Sequence, residues 1–318
     1  MIFPDFWIQG ALLPDVWQAL LVPFTQPLEA LSFVSIDLET TGLVPGFDAI
    51  TEIGAARFSL RADGAVIPGE TFSELVNPER PISPKVSEIT GIHDEMVRDA
   101  RTIEAVIPAL LDYLFEGEHT VLLAHNARFD VSFLSAALGR LGIERELPPA
   151  VCTVALAKRN LPDAPRYGLE SLMRWIGADR VEMNESVHHR ALPDALHARN
   201  LFAHCVQVTG HRTLDALGAK RAVIASVSTE EVIEVPEHMA PLETAIDQGL
   251  DVDLNYQGGS KGRSRRPVRP LALFMQNATL YLRATCLVDL QDKSFRADRI
   301  RAVHPSDSDG EGPIVRED

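Results

Sequence analysis

Five residues, Thr120-Val121-Leu122-Leu123-Ala124, leave this chain the fewest folding options. The run is too short for an independent helix and has no polar face. A strand that is apolar on both sides has to be covered on both sides, as in the centre of a sheet flanked by helices. Residues 31–38 form a second compact apolar run and read as another central strand. Residues 49–60 and 70–76 read as two more. Thr90 and Gly91 close a short helix. Residues 101–115, 128–141, 152–160, 169–176 and 191–208 carry helical periodicity, with Gly142 and Gly177 as stop signals. Strands, a helix, a strand and then helices predict an α/β unit, a mixed sheet with helices on its faces.

The rest of the chain is organised differently. Residues 1–30 read as an N-terminal extension, with Trp7, Leu12, Leu13, Trp17, Leu20 and Leu21 at roughly helical spacing broken at Pro14. Residues 209–239 show no strong core pattern and read as an acidic linker. Beyond them the pattern becomes short strands at 251–256, 267–274, 279–287 and 294–303. Asn277 and the Gly258, Gly259, Gly262 group supply turns. Residues 240–304 are therefore expected to be a small, mostly β unit, and 305–318 a polar, disordered tail.

No apolar run reaches the length needed to span a bilayer, and Asp5 and Asp15 interrupt the apolar start, which argues against a signal peptide. Cys152, Cys205 and Cys286 lie far apart and read as free thiols of a reducing cytoplasm. The net charge of −15 runs against simple duplex binding. It is unevenly spread, however. Residues 228–255 hold eight acids and no Lys or Arg, whereas residues 261–301 hold ten Lys or Arg against three Asp. Bound divalent cations would also reverse the field around a carboxylate cluster.

Three constellations carry chemistry. Asp37-Leu38-Glu39 closes the first strand, with both carboxylates on one face, and runs into Thr40-Thr41-Gly42. His125-Asn126-Ala127-Arg128-Phe129-Asp130 follows the buried strand and opens a helix, so Asp130 sits in a first turn. His189-Arg190-Ala191-Leu192-Pro193-Asp194 starts the last long helix. Each alone has an ordinary explanation, a solvated strand end or a helix cap. Together they put four acids and a histidine at element ends of one α/β unit, and hard oxygen ligands of this kind suit Mg²⁺. Pro193 is compatible with a helix that starts near Ala191 or Leu192.

In that order and spacing the motifs, with Ile36 and Ile89-Thr90-Gly91-Ile92, resemble the histidine-containing branch of the DEDD superfamily of 3′→5′ exonucleases. The likeness is greatest to the proofreading epsilon subunits of bacterial DNA polymerase III, over residues 31–206. The resemblance implies a ribonuclease H-like exonuclease domain over 31–208. It implies two Mg²⁺ or Mn²⁺ ions held by Asp37, Glu39, Asp130 and Asp194, and His189 as general base on the attacking water. His188 is an alternative base that fits the spacing less well. Thr40, Thr41 and Gly42 would lie beside the terminal nucleotide. The implied substrate is a single-stranded or frayed 3′ end of DNA, with RNA as the alternative, and a DNA polymerase or repair partner is compatible with it.

The second unit resembles the WYL domain, a small Sm-like β-barrel, through Leu254-Asn255-Tyr256, Arg266-Pro267-Val268-Arg269-Pro270-Leu271, Leu280-Tyr281-Leu282 and Phe295-Arg296-Ala297-Asp298-Arg299-Ile300. Leu280 stands where the family's name has Trp. The resemblance implies a nucleic-acid-binding or sensing module with Tyr256, Arg266, Tyr281, Phe295, Arg296 and Arg299 as ligand residues. The opposing reading of the whole chain is a regulatory sensor whose exonuclease fold is only a scaffold.

Overall fold

The computed structural model describes residues 24–178, 190–220, 235–257, 264–276 and 279–306. The chain divides into two compact units, Met1–Val227 and Ser228–Asp318.

The first unit is built on a five-stranded sheet of order β3-β2-β1-β4-β5. Its strands are β1 (Ser32–Thr40), β2 (Ile50–Leu60), β3 (Val66–Leu75), β4 (Thr120–Ala124) and β5 (Ala150–Cys152). β1, β2 and β3 pair antiparallel, while β1, β4 and β5 run parallel. All five residues of β4 are buried, as a strand without a polar face requires. The helices are α1 (Pro84–Thr90), α2 (Asp94–Val97), α3 (Ile103–Phe115), α4 (Arg128–Arg140), α5 (Thr153–Asn160), α6 (Leu169–Trp175) and α7 (Ala191–Thr209).

Alternation along β1 divides the core. Val34, Ile36 and Leu38 pack with Val106, Ile107 and Leu110 of α3 and Val131, Leu134 and Leu138 of α4. The opposite face carries Phe33, which joins Phe58 of β2 and Phe202 of α7, with ring centroids 5.0–6.2 Å apart. Leu214 and Leu217 are buried in this second cluster. These two leucines thus belong to the core, although no periodic pattern in residues 209–239 marks them. β3 also begins before the expected residue 70, at Val66. Val66 and Ile67 are apolar, but Pro68 and Gly69 interrupt the run and residues 67–71 are exposed.

The second unit is a five-stranded antiparallel sheet of order β10-β6-β7-β8-β9. It comprises β6 (Val252–Tyr256), β7 (Ser264–Gln276), β8 (Thr279–Cys286), β9 (Gln291–Arg296) and β10 (Ile300–Pro305), preceded by α8 (Pro241–Gln248). The expected strand at 294–303 is in fact two strands, split by a short helical turn at Ala297–Arg299. α8 supplies Leu242 and Ala245 to a core with Leu254, Val268, Leu282 and Phe295.

Candidate metal centre

Strand geometry explains the first pair of carboxylates. Residues of one parity on β1 point to the Phe33 side, so Asp37 and Glu39 emerge together beyond that aromatic cluster. β1 pairs with β4 only from Ser32↔Thr120 to Ser35↔Leu123, and then runs on past the end of β4 beside β2. The first turn of α4 brings the Asp130 carboxylate to this overhang, beside the backbone of Leu38. α7 begins at Ala191, so Pro193 falls in its first turn, where it removes no helical donor that had a partner. The same turn carries Asp194.

Carboxylate oxygens of Asp37, Glu39 and Asp194 all lie within 4.8 Å of one another. Asp130 is next to them and fully buried, and among the described residues its Oδ1 has no hydrogen-bond partner. A buried carboxylate oxygen left unpartnered is costly in a neutral pocket but is what a hard cation would engage. The residues therefore fit a divalent cation site.

The electrostatics agree. Burial, and then the charges of Asp130, Asp194, Glu39 and Glu52, push Asp37 well above the ordinary carboxylate range. Glu39 is pushed up to about 8, first by burial and then by Asp194, Glu52 and Asp130. Burial raises Asp130 to about 8 against the N–H groups of Asp130 and Leu38 that hold it down. Without a cation the cluster keeps protons at neutral pH.

The loop after β1 is held from inside. Asp48, buried, accepts from the Val44 N–H at 2.8 Å. Thr41 Oγ1 accepts from the Ala49 N–H at 2.9 Å, and Thr40 Oγ1 donates to the Gly42 carbonyl. A Cβ on Gly42 would lie 2.5 Å from the Asp48 carboxylate, so any larger residue there has to push that side chain aside. His125 is tied up: its Nε2 lies 3.0 Å from the Tyr167 carbonyl and its Nδ1 3.0 Å from Thr153 Oγ1. A carbonyl only accepts, so Nε2 carries the proton, and the ring braces the loop rather than facing a substrate. Asn126 is no helix cap; it takes φ 74°, a left-handed conformation that Asn tolerates. His188 and His189 lie outside the described residues.

Sequence reasoning missed Glu52. It sits opposite Glu39 in the β1–β2 register, is buried, and receives Arg190 and the Ala191 N–H. An acid inside the apolar run Ile50-Thr51-Glu52-Ile53 was the available signal.

In the second unit, the six expected ligand residues differ in burial. Tyr256 and Phe295 are core residues packed edge to face, centroids 5.2 Å apart, so neither offers an open ring to a base. Arg266 lies over the Tyr256 ring at 6.0 Å. Tyr281 is half-buried and stacks on Phe274, centroids 5.5 Å apart. Arg296, its cross-strand partner, is paired with Asp298, and Arg299 is exposed.

A mixed sheet with an overhanging strand end that gathers carboxylates from β1, α4 and α7 defines a ribonuclease H-like nuclease fold. The family model described as Exonuclease matches residues 34–202, and the chain belongs to that family. The family is divalent-metal-dependent, and the acidic cluster lies within the matched span. The WYL domain model matches residues 237–305. The chain is 36% identical over 209 residues to a DNA polymerase III PolC-type protein of Thermotoga petrophila, a match that covers 65% of this chain and 14% of that protein. It is 36% identical over 170 residues to the PolC-type polymerase of Latilactobacillus sakei, covering 54% of this chain and 11% of the relative. The chain thus spans about one seventh or less of these relatives. Among solved structures, Exonuclease X in complex with 5′ overhanging duplex DNA aligns with a TM-score of 0.45 and 31% identity, over 59% of this chain and 99% of that one. Among the described residues, no helix is long and apolar enough to cross a membrane.

Proposed function

We propose that this chain is a 3′→5′ exonuclease that removes nucleotides from single-stranded or frayed DNA 3′ ends as nucleoside 5′-monophosphates. The observation that carries the reading is the convergence of the Asp37, Glu39 and Asp194 carboxylates within 4.8 Å, beside the unpartnered Oδ1 of Asp130. These four residues would hold two divalent cations, Mg²⁺ or Mn²⁺. Bound, the cations supply Lewis-acid stabilisation of the phosphoryl charge and lower the pKa of an attacking water. The chain's own groups do the rest. His189, five residues ahead of Asp194, takes the proton from the water, a role an imidazole suits near neutral pH. The Thr40-Thr41-Gly42 segment, clamped from below by Asp48, receives the terminal nucleotide. Identity to PolC-type DNA polymerases supports DNA as the polymer and proofreading or repair as the setting. A cytoplasmic location goes with that substrate.

In this reading residues 31–208 are catalytic and residues 240–304 bind nucleic acid. Tyr281, Arg266, Arg296 and Arg299 are the candidates, because aromatic faces stack bases and arginines neutralise phosphates. The test is digestion of 3′- and 5′-labelled single-stranded DNA and RNA with Mg²⁺ or Mn²⁺, beside Asp37→Ala and Asp194→Ala. Stepwise 3′ trimming of DNA by the wild type alone is expected. Preference for RNA would change the substrate, and inactivity on both polymers would leave the sensor reading.

A further inference from the structure

The first turn of α7 has no side-chain cap of its own. Its partner comes from a residue 139 positions earlier: the Ala191 N–H donates to Glu52 Oε2 at 3.0 Å. Arg190 adds a two-pronged contact to the same carboxylate. Its Nε lies 3.0 and 2.9 Å from the two oxygens and its Nη2 lies 2.6 Å from Oε1. Both Glu52 oxygens are therefore engaged by the residue before α7 and by its first residue. Such bidentate, charge-assisted contacts fix orientation as well as distance.

Gly54 completes the seat. It lies opposite Asp37 in the register, two residues along β2 from Glu52. A Cβ there would fall 2.1 Å from the Leu192 nitrogen, so the helix start rests directly on the strand backbone. The Asp194 N–H bonds the Arg190 carbonyl, which makes Asp194 part of the turn that Glu52 anchors. β2 is in turn locked to β1, the strand that carries Asp37 and Glu39.

We propose that Glu52 and Arg190, seated over Gly54, are positioning residues that set Asp194 against Asp37 and Glu39 and so govern the cation affinity of the site, although neither is assigned a cation or the substrate. The inference rests on the metal-site reading above. Side chains that orient metal ligands typically contribute about 10–100-fold in affinity, and the same range is expected here.

The experiment measures Mn²⁺ binding directly, by electron paramagnetic resonance of the free ion, on the full chain. The variants are Glu52→Gln, Arg190→Gln and Asp194→Asn, with thermal unfolding recorded for each. Asp194→Asn tests the metal site itself: if it binds Mn²⁺ as the wild type does, the metal reading fails and this inference falls with it. If Asp194→Asn binds weakly, Glu52→Gln and Arg190→Gln should weaken Mn²⁺ by about 10–100-fold. Excess Mn²⁺ should then restore turnover, because the ligands remain. Folded variants with wild-type Mn²⁺ affinity would overturn the proposal. So would affinity loss without rescue, or failure of both variants to fold, which would make the pair a support of the fold and not of the site.

Discussion

Cation binding should depend steeply on pH, and the structure fixes the direction and the window. In the metal-free fold, Glu39 is raised from 4.5 to about 8 and Asp130 from 3.8 to about 8. A cation binds the ionised form, so below pH 8 it has to displace protons. At pH 6 each of the two carboxylates that still holds its proton weakens binding by about a hundredfold, or about 2.7 kcal/mol at 1.36 kcal/mol per pKa unit. Asp37, also raised, adds to this. The assay is titration calorimetry with Mn²⁺ at several pH values, in buffers of different ionisation enthalpy, which counts the protons released. Affinity should climb between pH 6 and 8 and level off above, with more than one proton released per chain near pH 7. The metal-free stability should run the opposite way. Folded-state pKa values above the unfolded ones mean that the native chain binds more protons between about pH 4 and 8, so stability falls as pH rises through that range. Affinity that is flat from pH 6 to 8, with no proton release, would refute the cluster electrostatics described here.

Other substitutions probe separate parts of the argument. Asp130→Asn removes a buried charge, so at pH 8 the metal-free protein should melt a few degrees higher while nuclease activity is lost; a thermal scan without cation reads the first and an oligonucleotide digestion with Mn²⁺ the second. Gly42→Ala drives a methyl to 2.5 Å from the Asp48 carboxylate and should cost about 1–3 kcal/mol in urea unfolding, with KM for oligonucleotide rising more than kcat falls. Phe202→Ala opens the three-ring cluster beneath the site and should cost about 3–5 kcal/mol in the same experiment.

How much of this could be read from the chain follows from where each signal lies. β4 and α4 were legible because their apolar patterns are local and their faces are buried as those patterns demand. Asp37, Glu39, Asp130 and Asp194 could be singled out because each stands at the end of a periodic segment; the structure brings oxygens of Asp37, Glu39 and Asp194 within 4.8 Å of one another, with Asp130 beside Asp37. Glu52 was hidden because its partners are 138 and 139 residues away, and an acid inside an apolar strand announces a burden without naming its counterpart. Tyr256 and Phe295 were misjudged for a related reason. A sequence cannot separate an aromatic that faces the core from one that faces a ligand until the strand register is known, and here both rings turn inward. The strand expected at 294–303 failed on a turn at Ala297–Arg299 that carries neither Gly nor Pro.

Burying several carboxylates in one place opposes folding, so something nearby has to offset it. Phe33 and Asp37 occupy the same face of β1, four residues apart. The Phe33–Phe58–Phe202 cluster, with the apolar side chains of β4 around it, therefore lies directly beyond the site on the sheet that carries it. Phe202 belongs to α7, the helix whose first turn presents Asp194. The helix is thus pinned at two places, by an aromatic contact along its length and by the Glu52 seat at its start. Apolar burial at the first point contributes stability without directional demand, whereas the ion pair at the second fixes direction. This division, together with the protons the metal-free cluster keeps, accounts for carboxylates that stay within 4.8 Å of one another. A cation arriving there would have protons to displace.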